Sequence, residues 1–167
     1  DDNDKYAVGH GLAPRLTYGF SLGAEWNGFD FSCLFQGNAG LQVYWQDKFY
    51  MGYINYGDVI NKEIAEGAWR EGRTNATYPR LLTGLNTLNA QPSDFWVQNK
   101  SYLRLKNVQI GYKIPKKLLQ KLDISQLRLY TSLENMLTFT SYKGIDPEIS
   151  GTTYPTMKQI TVGVNVV

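Results

Sequence analysis

Five stretches of the chain alternate apolar and polar residues with a period of two, which marks strands with one face in an apolar medium and the other in water. Leu16 to Trp26 sets Leu16, Tyr18, Phe20, Leu22, Ala24 and Trp26 against Thr17, Gly19, Ser21, Gly23 and Glu25. Asn27-Gly28 follows, a pair that takes positive φ at both central positions of a tight hairpin, so a second strand has to return at once. It does so over Phe29 to Gly37, with Leu34 as the one apolar residue on the polar side. The third strand, Tyr102 to Ile114, stops at Pro115. The fourth is Gln126 to Asn135 and the fifth Lys158 to Val167.

The connections between these strands are short (Asn27-Gly28), long (Asn38 to Lys100), short (Pro115 to Ser125) and medium-long (Met136 to Met157), so long loops fall at one end and short ones at the other. Outer-membrane barrels have that asymmetry, and strands of roughly nine to thirteen residues suit a tilted crossing of the hydrocarbon layer. Within the long connection a helix is expected from a cap at Asp58 through Glu66, closed by Gly67, with Val59, Ile60 and Ile64 on one side.

The apolar faces of the first, second and fourth strands carry no charge; Arg104, Lys106 and Lys158 are the exceptions, all at loop-side ends. A cation at mid-bilayer costs about 2 to 4 kcal/mol and much less near the interface. These three are therefore expected at or above the outer membrane surface, with Trp26 and Phe29 in an aromatic belt at the turn end. Phe20, Leu22, Phe31, Leu129, Leu133, Val162 and Val164 are expected to face lipid. Ser21, Ser32, Ser132 and Thr161 are expected to face away from it.

Composition narrows the chemistry. A net charge of +2 with 19% charged residues is too balanced for a polyanion binder. Twelve Tyr, four Trp and sixteen Gly form a strand-and-turn inventory. One cysteine, Cys33, excludes an intrachain disulfide, and one histidine, His10, gives a Ser-His or His-metal site no second member. No apolar run approaches the roughly 18 to 20 residues of a membrane helix. No HExxH, GxSxG or P-loop spacing occurs, and Asp146-Pro147-Glu148 is best taken as a rigid turn, so no enzyme and no cofactor is expected.

Five stretches in order resemble the C-terminal end of the SusC/RagA family of TonB-dependent outer-membrane transporters of Bacteroidetes. They are "PRLTYGFSLGAEWNGFDFSCLFQG" (14–37), "AWREGRTNATYPRL" (68–81), "SDFWVQNKSYLRLKNVQIGYKIPKKL" (93–118), "LRLYTSLENMLTFTSYKGIDPE" (127–148) and "YPTMKQITVGVNV" (154–166). One departure is that family members usually end in an aromatic residue, where this sequence has Val167.

The resemblance implies an all-β fold, the last five antiparallel strands of a barrel of about 22. All 167 residues would then be the C-terminal portion of the barrel domain, without its plug. It also implies a bacterial outer-membrane location and import of glycans or oligopeptides. A SusD-like surface lipoprotein would be the partner, and the TonB-ExbB-ExbD system would act through an N-terminal part. Trp45, Tyr50, Tyr53, Tyr56, Trp69, Tyr78 and Trp96 have flat apolar faces suited to sugar rings, peptides or a lipoprotein lid, or equally to packing the loop itself. The alternative is a free-standing soluble β-domain binding carbohydrate or a protein. That reading requires a second sheet to cover the apolar faces.

Overall fold

The computed structural model describes residues 5–7, 13–44, 53–54, 60–83, 92–120, 124–149 and 153–167. The chain forms two compact units, Asp1–Gly9 with Val43–Gln98, and His10–Gln42 with Asn99–Val167. In chain order the elements begin with β1 (Leu16–Trp26), β2 (Phe29–Ala39), β3 (Gln42–Tyr44), β4 (Tyr53–Ile54), α1 (Lys62–Gly67) and β5 (Leu82–Thr83). A 3-10 turn (Asp94–Trp96) leads to β6 (Val97–Asn99), then β7 (Tyr102–Lys113), α2 (Lys116–Leu119), β8 (Leu127–Thr140) and β9 (Gln159–Val166).

The second unit is one antiparallel sheet in the order β1-β2-β7-β8-β9. The β1–β2 hairpin closes Trp26 against Phe29 across Asn27 and Gly28, whose φ angles are 48° and 88°. These angles let a two-residue turn follow the twist of the strands. Leu16, Phe20, Leu22 and Trp26 share a face with Phe29, Phe31, Cys33 and Phe35 through direct pairing, and the register carries that face on to Val108, Ile110 and Tyr112, then Leu129 and Leu133, then Ile160, Val162 and Val164.

One expectation is corrected by the register. Leu34 and Phe35 of β2 face Asn107 and Leu105 of β7, so Lys106 is an extra residue, a β-bulge. A bulge reverses the parity of everything beyond it. Leu103 and Leu105 consequently take the apolar face, and Arg104, which simple alternation put there, turns to the polar one. On β8 the same interval runs from Glu134 to Leu137, so Leu137 and Phe139 keep the parity of Leu133.

Asn135, the expected end of the fourth strand, lies inside this bulge at φ 54°. Asparagine tolerates the left-handed conformation, so the residue bends the strand without ending it and β8 continues to Thr140. The helix in the long connection is also later than expected. It is Lys62–Gly67, capped by Asn61, whose side-chain oxygen accepts the Glu63 N–H at 2.9 Å. Asp58 and Val59 lie outside the described residues. Pro115 precedes α2, where its missing N–H costs nothing.

Candidate functional site

The sheet has two chemically distinct faces. On the apolar face Trp26 is 78% exposed and Val162 76%, with Phe20, Leu22, Phe31, Ile110, Leu129, Phe139, Ile160 and Val164 also exposed. Phe20 stacks on Phe35 at 4.9 Å and Phe29 meets Tyr112 at a 41° tilt with centroids 4.5 Å apart, so the face is ordered but not covered. A soluble sandwich would bury these residues under a second sheet. Here they remain open across all five strands, and the apolar residues of the register carry no charge from β1 to β9.

The polar face pairs its charges. The Arg128 guanidinium donates to both Asp30 oxygens and to Gln109, spanning β7 at Gly111. A Cβ on Gly111 would approach Asp30 Oδ2 to 2.5 Å and Arg128 Nε to 2.6 Å, so glycine leaves the room this ion pair needs. Lys113 donates to Glu25 at 3.2 Å. Together the pairs tie four strands, β1, β2, β7 and β8, near the turn end of the sheet.

A second cluster occupies the loop end. Arg104, 4% exposed, donates through Nη2 to Asp146 at 2.6 Å, through Nη1 to Glu148 at 2.6 Å and through Nε to Thr138 at 2.9 Å. Lys106 donates to the other Glu148 oxygen. Burial pushes the Asp146 carboxyl up, but the Arg104 guanidinium and the N–H groups of Glu148 and Thr156 outweigh it and hold the group at about 2. Lys100 donates to the Ile149 carbonyl and lies 5.5 Å from the Tyr142 ring. Burial pushes its ammonium down, offset in part by the Asp146 charge. Sequence reasoning did not find this cluster. Its signal was two cations, Arg104 and Lys106, on an otherwise apolar alternation, together with two carboxylates in a loop.

The aromatic candidates have different surroundings. Trp45, Tyr50 and Tyr56 lie outside the described residues, and Tyr53 is described only as the start of β4. Tyr78 is buried, donates its hydroxyl to Glu63 at 2.9 Å and bridges Ala68 through its backbone. Trp96, 3% exposed, meets Phe95 edge-on at 4.7 Å, and Phe95 meets Tyr78 at 6.4 Å. Trp69 is 45% exposed, with the Arg80 guanidinium 5.9 Å from its ring centroid. Tyr78 and Trp96 therefore pack the unit from within, and Trp69 offers a ring surface. Among the described residues no group of His, Cys, Asp and Glu is arranged to hold a metal ion.

An antiparallel sheet of long strands, apolar and open on one side and ion-paired on the other, has the two-faced pattern of a membrane-type β-barrel wall. No protein-family model matches the chain. It is 31% identical over 169 aligned positions to TonB-dependent receptor P3 of Formosa agariphila, across 92% of this chain. To TonB-dependent receptor SusC of Bacteroides thetaiotaomicron it is 25% identical across 99% of this chain. The chain spans 16% of the length of each. A solved structure of the RagAB peptide transporter superposes on 97% of the chain and 19% of its own, with a TM-score of 0.75 and 28% identity. The chain is thus homologous to TonB-dependent receptors of the SusC/RagA kind, and its sheet matches part of their barrel.

Proposed function

We propose that this chain forms part of the wall of a TonB-dependent importer in a bacterial outer membrane, taking up glycans or oligopeptides together with a SusD-like surface lipoprotein. The observation that carries the reading is the charge-free apolar face continuous over five strands. In water such a face would drive association, whereas in lipid it is the required surface, and a closed barrel satisfies every backbone group. The polar face then lines the lumen. The TonB-ExbB-ExbD system would supply energy through parts of the protein outside these residues. The likeness to RagAB, described as a peptide transporter, favours oligopeptides. Trp69, with Arg80 beside it, is the aromatic candidate whose exposed ring suits contact with cargo or lid.

The test is cysteine labelling of the full-length receptor in outer-membrane vesicles. Leu129→Cys and Val162→Cys should react with a membrane-soluble maleimide, and Thr161→Cys with a water-soluble one. The reverse pattern would refute the reading. Uptake of labelled peptides against labelled oligosaccharides by cells carrying the receptor separates the two cargo classes.

A further inference from the structure

Groups buried within one sector keep their partners whatever surrounds the sector, and among the described residues Arg104 with Asp146 is an ion pair that meets this condition, each side chain being 4% exposed. The two belong to different elements. Arg104 is on β7, turned to the polar face by the Lys106 bulge, and Asp146 belongs to the segment that follows β8.

We propose that Ser141–Ile149 is a strap clasped onto the polar wall by Arg104, and that this clasp sets the width of the passage at the loop end. The width part rests on the transporter reading; the clasp does not. Arg104 uses its planar fork on two carboxylates at once, with Thr138 taking the third direction. Lys106 holds the outer oxygen of Glu148. Asp146 is the hub. Its Oδ1 also accepts the Glu148 N–H, and its Oδ2 accepts the Thr156 N–H at 3.0 Å, which joins the strap to the approach to β9.

Both ends of the strap have their own anchors. At entry the Tyr142 N–H donates to Thr140 Oγ1, and that hydroxyl donates to the Ser101 carbonyl. Lys100 holds the Ile149 carbonyl at the other end while lying over the Tyr142 ring. Past Ile149, the Asn135 side-chain amide, inside the β8 bulge, donates to the Met157 carbonyl. Three cations thus face two carboxylates. Removing the Arg104 charge would leave Asp146 and Glu148 close together with Lys106 on Glu148 and the more distant Lys100 against them, and the strap would lift where the carboxylates sit while its ends remain tethered. Arg104 is in this sense a positioning residue.

The experiment is hydrogen exchange read by mass spectrometry on the full-length receptor in detergent, with the amides of β7 and β8 as internal controls. Arg104→Gln is expected to speed exchange over Ser141–Ile149 by roughly tenfold or more while β7 and β8 keep their protection. Glu148→Gln, which leaves the Arg104–Asp146 contact in place, should give a smaller rise in the same segment. Unchanged exchange in the strap with β7 and β8 protected overturns the clasp. If Arg104→Gln loosens β7 and β8 as well, Glu148→Gln decides: a rise confined to the strap supports the clasp, and none overturns it.

A second readout measures width. Thr161→Cys is challenged from outside with polyethylene-glycol maleimides of increasing size, with Arg104 intact and replaced by Gln. Larger reagents should enter only after replacement. An unchanged size limit with a released strap overturns the width part alone. A Thr161→Cys that no water-soluble reagent reaches in either background refutes the passage itself, and the exchange measurement still stands.

Discussion

In the sheet, β1 pairs with β2 over eleven consecutive positions, and β7, β8 and β9 continue the ladder. In the unit built on Val43–Gln98 the longest described element is the six-residue α1, and the β4–β5 pairing involves two residues on each side. The sheet is held by a repeating unit, one hydrogen-bonded pair and one apolar contact per step. The other unit depends on a few individual side chains: Ile64, which is 1% exposed, Trp96 and Tyr78. Distributed order tolerates the loss of one contact, because neighbouring pairs hold the register. Order resting on single anchors does not.

The largest effect that separates the two is therefore Trp96→Ala. Removing a buried indole costs about 3 to 5 kcal/mol by lost contacts and the cavity left behind. Hydrogen exchange in the full-length receptor should show residues 60–83 and 92–98 losing protection while β1, β2 and β7 retain theirs. Loss in both at once would mean that the two units share one stability, and the comparison would fail.

The second effect lies at the loop end of the sheet. The Asp146 carboxyl titrates at about 2 in the folded protein against 3.8 for the free group. A depressed acid contributes stability above its unfolded value and loses it as pH falls through its folded one. The contribution, about 2 kcal/mol, is thus complete above roughly pH 4 and disappears toward pH 2. A spin label at Ile145→Cys, an exposed position beside the hub, should gain mobility across that window. Asp146→Asn should abolish the transition. A transition centred well above pH 4 would assign the switch to another group.

The same contrast explains what the sequence made legible. All five long strands were readable, β1 to the residue, because period-two alternation and the Asn27-Gly28 turn are local signals. Non-local facts were not readable. The apolar residues do change parity across Lys106, from Leu103 and Leu105 to Val108, Ile110 and Tyr112, but which residue is the extra one, and which face each side then takes, is defined only by what β2 places opposite it. Arg104 was accordingly assigned to the wrong face, and its contact with Asp146, 42 residues away, went unseen. For the aromatic candidates, composition gave the residue types but not their burial. Tyr78 and Trp69 stand in one short motif, yet the first is enclosed against Glu63 and the second is open, because α1 and Phe95 pack against Tyr78.

The smallest effect tests the anchor argument at its weakest point. Asn61 caps α1 by accepting the Glu63 N–H, and α1 presents Ile64 to the interior and Glu63 to the Tyr78 hydroxyl. A helix of six residues cannot sustain itself by propagation, since nucleation is costly and few hydrogen bonds follow it. Its cap therefore counts for a larger share of its stability than in a long helix. Asn61→Ala should cost about 1 kcal/mol, whereas Asn61→Asp or Asn61→Ser should preserve most of it by keeping an oxygen in place. The readout is exchange of the Ala65 and Ala68 amides, which donate to Asn61 and Ile64 carbonyls at 3.0 and 2.8 Å. If those amides open fully in Asn61→Ala while the Tyr78 region stays protected, the helix is only an appendage of the aromatic cluster. If both loosen together by the same small factor, α1 and the cluster are one cooperative unit, as single-anchor order requires.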